Sequence, residues 1–145
     1  MSRSLPAAAL GGLAALTLGA CGGSPGPVSA AACPATASAA AGTGLRSLQA
    51  TPAESSLRAL VANAGPVPGR PYEIRWLADP RKAGRAMLVV AVRQGTQQSL
   101  RQSTAGTVSG NLAEFPTSLT FPRAGCWDVD ATTGTAAGDI ILRVG

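Results

Sequence analysis

The chain has 145 residues, with twelve Lys or Arg against seven Asp or Glu and a formal net charge of +5. That length supports one domain with a real core and not two. Histidine is missing from the sequence, which removes Ser-His and Cys-His catalysis, imidazole zinc sites and blue-copper ligation together.

The first element is N-terminal and apolar. Met1-Ser2-Arg3-Ser4 carries one positive charge, and Leu5 to Leu18 is an uncharged stretch of Leu, Ala and Gly with one Pro and one Thr. A spanning helix needs about 20 apolar residues, so this stretch fits the apolar region of a secretory signal better. Pro6, Gly11 and Gly12 weaken it further as a permanent helix. The run that closes it, Leu18-Gly19-Ala20-Cys21, resembles the lipobox of bacterial lipoproteins. The resemblance implies cleavage between Ala20 and Cys21 and a diacylglycerol carrying palmitate-like chains on the Cys21 thiol. It places the protein outside the cytoplasm, anchored by lipid to a bacterial cell membrane. On the residues alone an uncleaved anchor, or an ordinary signal peptide cut after Ala20, stays open. Cys33 follows Ala30-Ala31-Ala32, but it has no branched aliphatic three residues before it and lies past the apolar run, so Cys21 is the expected lipid site. Two or more acyl chains, at about 0.8 kcal/mol per buried methylene, hold a domain on a membrane without crossing it. Gly22 stands where an aspartate favours inner-membrane retention in some two-membrane bacteria.

Removing residues 1–20 leaves 125 of the 145 residues. Residues 21–44 form the lipidated cysteine and a Gly, Ser, Pro, Ala and Thr tether without amphipathic period, and the domain is expected over 45–145. Cys33 is the one residue that such a tether does not need. The apolar fraction of 46% is inflated by alanine, and the aromatics Tyr72, Trp76, Phe115, Phe121 and Trp127 all lie from residue 72 onward. Because alanine buries little area, the core is expected after about residue 57.

Thr51-Pro52-Ala53-Glu54 reads as a capping box, with Pro52 at the first helical position. Ala53, Leu57, Leu60, Val61 and Ala64 follow at helical spacing until Asn63, Gly65 and Pro66 stop the run, which predicts a short helix near 52–63. Pro66 to Pro71 is a turn region. Tyr72, Ile74 and Trp76 alternate with charged residues as a half-buried strand, and Met87 to Val92 reads as a central strand. Between them Ala78 to Arg85 is a charged loop. There Arg81, Lys82 and Arg85 cluster beside Asp79 with no aromatic interleaved. The basic stripe of a nucleic-acid binder is missing, so no nucleic-acid partner is expected, and a weak contact of this loop with lipid headgroups is the better reading. Gln94 to Asn111 is polar, with Leu100 and Val108 as the only strand hints, and holds either edge strands or an ordered loop.

Leu119 and Phe121 alternate up to Pro122, and Arg123-Ala124-Gly125 makes a corner. Trp127, Val129 and Ala131 then share one face while Cys126, Asp128 and Asp130 share the other. Thr132 to Gly138 turns the chain, and Ile140, Leu142 and Val144 return on one face, giving an antiparallel hairpin with an apolar and a wet side.

Phe115-Pro116-Thr117, Phe121-Pro122 and Gly125-Cys126-Trp127-Asp128-Val129, with the closing apolar strand, resemble the end of an immunoglobulin-like domain. They are similar to a group of uncharacterised secreted bacterial proteins with a Cys-Pro near the mature start, a mid-chain aromatic strand and a terminal Pro-x-x-Gly-Cys-Trp-x-Val. Here Cys33-Pro34, Arg75-Trp76 and Pro122 to Val129 occupy those places. The resemblance is thin over 33–145 and specific over 115–130, and it brings no established activity. It implies an all-β chain, a small immunoglobulin-like antiparallel β-sandwich, and it reads 57–61 as a strand against the local helix signals. The cysteine pattern departs from the fold's usual one, in which the second cysteine points inward and follows a tyrosine by two residues. Trp127 and Val129 take the inward positions here and Ala124 replaces the tyrosine, so Cys126 should face outward and an inter-sheet bridge is not expected.

With Cys21 lipidated, two cysteines remain in an oxidising compartment, and a Cys33–Cys126 disulfide is expected, the alternative being two free thiols. It would close a loop of about 90 residues and contribute roughly 4 kcal/mol in the chain-entropy model. No enzyme is expected, no metal site and no cofactor beyond the lipid on Cys21. Asp128 and Asp130 offer one side of a calcium site at most, since hard cations want six to eight oxygens. Cys126 has no general base at hand, and Trp127 is read as core ahead of a stacking platform. The expected function is a membrane-anchored binding module with an envelope protein or other ligand as partner. The alternative is an accessory structural or regulatory subunit of a membrane-protein complex.

Overall fold

The computed structural model describes residues 33–145. Ten strands alternate with short turns: β1 (Ser38–Ala40), β2 (Leu45–Gln49), β3 (Arg58–Ala62), β4 (Pro71–Ala78), β5 (Ala86–Arg93), β6 (Ser99–Ala105), β7 (Thr107–Ser109), β8 (Leu112–Thr120), β9 (Gly125–Thr133) and β10 (Ala136–Val144). They form two antiparallel sheets, a six-stranded one in the order β1-β2-β3-β4-β8-β7 and a four-stranded one in the order β10-β9-β5-β6. The chain is all-β, a small sandwich. Strands β3-β4-β8-β7 and β10-β9-β5-β6 reproduce the A-B-E-D and G-F-C-C′ orders of the immunoglobulin arrangement, and β1 and β2 extend the first sheet beyond it.

Period-two alternation places the core. Tyr72, Ile74, Trp76 and Ala78 of β4 face Met87, Val89 and Ala91 of β5 and Trp127, Val129 and Ala131 of β9, all buried. Phe115, Leu119 and Phe121 come from β8 and its exit, and Ile140, Leu142 and Val144 from β10. Phe121 meets Trp127 edge to face with centroids 5.2 Å apart, and the Trp127 Nε1–H donates to the Arg123 carbonyl at 3.1 Å. Leu48 and Ala50 are buried as well, so the core starts earlier than residue 57.

The helix expected near 52–63 does not form. Residues Ala53–Ser55 make one 3₁₀ turn, Ser56 closes it at φ 58°, and Arg58–Ala62 is strand β3. Thr51 makes no side-chain cap. Its backbone N–H and C=O instead both bond Asp139, at 2.9 Å each. Leu57, Ala59 and Val61 are buried at period two, so pairing with β2 and β4 overrides the local capping signal. The strand reading drawn from the secreted bacterial proteins is the one observed here.

The domain also starts before residue 45. Strand β1 pairs Ser38 with Leu48 and Ala40 with Arg46, and Thr36 bonds β10, so residues 33–44 belong to the sandwich rather than to a tether. The 94–111 region provides two edge strands, β6 on one sheet and β7 on the other, with Leu100 packed against the core and Val108 67% exposed. The final hairpin turns more tightly than expected, on Gly134-Thr135 alone. Thr133 is drawn into the strand because its hydroxyl donates to the Ala86 carbonyl at 2.8 Å and accepts from the Gly84 N–H at 3.0 Å.

At Gly106 the chain crosses from one sheet to the other, and a Cβ there would overlap the Phe115 ring. Phe115 is fully buried and has no room to withdraw. Gly106→Ala is expected to lower stability by about 1–3 kcal/mol, the cost of overpacking a filled core. Chemical denaturation checks it, and an unchanged midpoint contradicts the close approach.

Candidate functional site

Cys21 and the cleavage point between Ala20 and Cys21 lie outside the described residues. Cys33 and Cys126 are joined by a disulfide with Cα atoms 5.5 Å apart. Trp127 points into the core, which turns Cys126 to the outer face of its sheet, within reach of a segment lying against that sheet. Residues 33–36 are that segment. The Thr36 N–H donates to the Ile141 carbonyl at 3.0 Å, and the Thr36 hydroxyl accepts from the Ile141 N–H at 2.7 Å. Further along β10, Thr51 bonds Asp139, and the Gly145 N–H donates to the Pro66 carbonyl at 3.2 Å. Two separate pieces of chain thus bond the outer edge of β10 and a third ties down the residue that follows it, which hides backbone groups that would otherwise template pairing with another molecule. Closing a loop across a separation of 93 residues contributes on the order of 4–5 kcal/mol in the chain-entropy account.

The strand directions divide the loops between two ends. One end gathers residues 41–44, 63–70, 94–98 and 121–124, together with the disulfide. The other gathers 50–57, 79–85, 110–111 and 134–135. The Arg81, Lys82 and Arg85 cluster of the 79–85 loop is at this second end, remote from Cys33. That loop is well tied. Lys82 and Ala83 N–H groups donate to the Asp79 carbonyl at 2.9 and 3.0 Å, the Arg81 N–H donates to Asp79 Oδ1 at 2.9 Å, and Thr135 N–H donates to the Lys82 carbonyl at 2.8 Å. An open cleft of about 510 Å³ runs beside it, lined by Ser56, Arg58, Asp79, Arg81, Asn111 and Leu112. The 3₁₀ turn at Ser56 that shapes one wall was not legible, because the sequence there reads as helix.

Asp128 and Asp130 lie on the outer face, as the alternation of β9 requires, and Asp139 of β10 stands directly across from Asp130. Sequence reading missed Asp139, since placing it needs the exact hairpin register and the turn was drawn too wide. The Gln94 side-chain amide donates to Asp128 Oδ1 at 2.9 Å. Partial burial, then the charges of Asp139 and Asp128, push the Asp130 carboxyl above the ordinary Asp range. A carboxyl raised on folding holds its proton better in the native state. Its stabilising share is therefore present in acid and lost as pH rises through the raised value. Asp130→Asn is expected to raise the melting temperature at neutral pH, with the gain shrinking below the ordinary carboxylate range. Melting curves against pH check the sign, and a gain that grows in acid contradicts it.

Trp127 is fully buried, so its ring packs as core and offers no platform to a ligand. No protein-family model matches the chain, and no curated protein does. Among solved structures the chain is similar to the crystal structure of a presumed lipoprotein from Bacillus anthracis. The TM-score is 0.52 at 13% identity, over 77% of this chain and 85% of that one. At that identity the likeness is one of fold.

Proposed function

We propose that the chain is a lipid-anchored envelope protein whose sandwich serves as a non-catalytic interaction module. The observation that carries this reading is the run Leu18-Gly19-Ala20-Cys21 after an uncharged apolar stretch. One thing supports it: the fold is shared with a presumed lipoprotein of Bacillus anthracis. The interaction surface assigned is the loop end remote from Cys33, where the cleft between the 79–85 loop and the β7–β8 turn offers Arg58, Arg81, Asp79 and Asn111 around the exposed Leu112. Mixed charge around one exposed apolar side chain suits a polar protein or wall-derived partner better than a hydrophobic small molecule. A non-catalytic role is in keeping with a sequence that lacks histidine and with Cys126 being bound in a disulfide.

A second reading, an accessory subunit of a membrane-protein complex, draws on β7. This three-residue edge strand is exposed throughout, and Val108 is 67% exposed on it, a place where a partner strand could add. Crosslinking from intact membranes separates the two. Capture of soluble or wall ligands favours the interaction module, and a stoichiometric membrane-protein partner favours the accessory subunit. The anchor itself is tested by labelling with a palmitate analogue. Wild type is expected to take up label and to partition into detergent, and Cys21→Ser to do neither. Equal labelling of the two proteins overturns the reading.

A further inference from the structure

We infer that the loop end beside the disulfide is a docking surface for an anionic lipid bilayer, so that the sandwich stands upright on the membrane with the 79–85 end outermost. The inference rests on the anchor reading above and deepens it. Four loops make this end: 41–44, 63–70, 94–98 and 121–124. None of them contains an acidic side chain. They carry Arg70 and Arg123, both exposed, and the strand ends beside them add Arg93 and Arg143. The Arg93 Nε–H donates to the Ala124 carbonyl at 3.0 Å, which holds that guanidinium against the 121–124 corner. The nearest acidic side chains sit back on the strands, Glu73 on β4 and Asp128 on β9, the latter accepting from the Gln94 amide. Among these arginines Val67, in the Pro66-Val67-Pro68-Gly69 loop, is 46% exposed, one of three large apolar side chains exposed among the described residues. Cations around an apolar tip match the headgroup and upper acyl layers of a bilayer.

Chain connectivity makes the membrane the occupant. Cys33 is fastened to this end through Cys126, and residues 33–36 run from it along β10 toward the far end. Cys21 precedes Cys33 by twelve residues, so even full extension spans only ~40 Å. The longest strands have nine residues, which makes the sandwich about 30 Å long. A lipid on Cys21 therefore keeps the Arg70–Arg123 end close to the surface, whereas the other end reaches it only by inversion on a nearly taut chain. The other end carries Glu54 and Asp79 among its basic residues, so charge does not favour that inversion.

Hydrogen–deuterium exchange on the membrane-isolated full chain tests this, after reconstitution into vesicles of phosphatidylcholine alone or of an equal mixture with phosphatidylglycerol. On the anionic vesicles, amides in 63–70, 94–98 and 121–124 are expected to exchange several-fold more slowly, with 79–85 and 110–111 unchanged. High salt and the exposed-site variant Arg70→Glu/Arg123→Glu should abolish the difference. Each arginine contributes about fivefold to partition, the factor of one cation near an anionic surface. Protection of 79–85, protection equal on neutral vesicles, or none on either overturns the proposal. Cosedimentation of Cys21→Ser with the same vesicles keeps the two readings apart. Salt-sensitive binding without the lipid supports the docking surface even where the anchor reading fails, and no binding to anionic vesicles counts against the surface even where labelling supports the anchor.

Discussion

The place where the polypeptide joins the sandwich is set by one covalent bond and a short ladder of hydrogen bonds. Cys33 is held to Cys126 at the head of β9, and Thr36 is held to Ile141 on β10, so the first described residues lie flat along an edge instead of leaving the domain freely. A two-sheet fold has two loop ends of similar construction, and nothing in its core distinguishes them. The fastening of Cys33 does. It marks one end off from the other, and the proposed use of the cleft at Ser56, Arg58 and Asn111 for a partner rests on that polarity.

The core explains why the fastening matters energetically. Alanine supplies much of the apolar composition, and the large buried side chains are few: Trp76, Trp127, Phe115 and Phe121, with Leu, Ile, Met and Val between them. The aromatic four are shared between the sheets, Trp76 and Phe115 from one and Trp127 from the other, with Phe121 at the corner that links them. A small domain with a thin core gains from cross-links that restrict its unfolded chain. The same economy shows in the covered edge of β10. Residues Thr36 and Thr51 bond its outward backbone groups at Ile141 and Asp139, and the edges left free among the described residues are polar β6 and the short β1 and β7.

Sequence patterns made the second half of the fold legible because its strands are half-buried and alternate cleanly. Tyr72-Ile74-Trp76, Trp127-Val129-Ala131 and Ile140-Leu142-Val144 each turned inward as a set, since a slip of one residue would have placed tryptophan in water. The first half failed where local and tertiary signals conflict. Thr51-Pro52-Ala53-Glu54 carries genuine capping chemistry, yet Leu57, Ala59 and Val61 gain more by joining a sheet between β2 and β4. Residues 38–40 are Ser-Ala-Ala and carry no strand signal of their own; they form β1 because a partner strand waits beside them. Of the candidate site, the cysteine pair could be read from the two cysteines left beside Cys21, and the outward Cys126, Asp128 and Asp130 from alternation. Asp139, the cleft at Ser56 and the arginine-bearing end could not, because each depends on which loops topology gathers at one pole.

The most direct measurement on the account is peptide mapping of the isolated protein by mass spectrometry without reductant, after alkylation under denaturing conditions. A single cross-linked species containing Cys33 and Cys126 is expected, which falls apart on reduction into two alkylatable peptides. Recovery of both peptides already alkylated before reduction would leave the entry point of the chain unfastened and would contradict the polarity on which the rest is built.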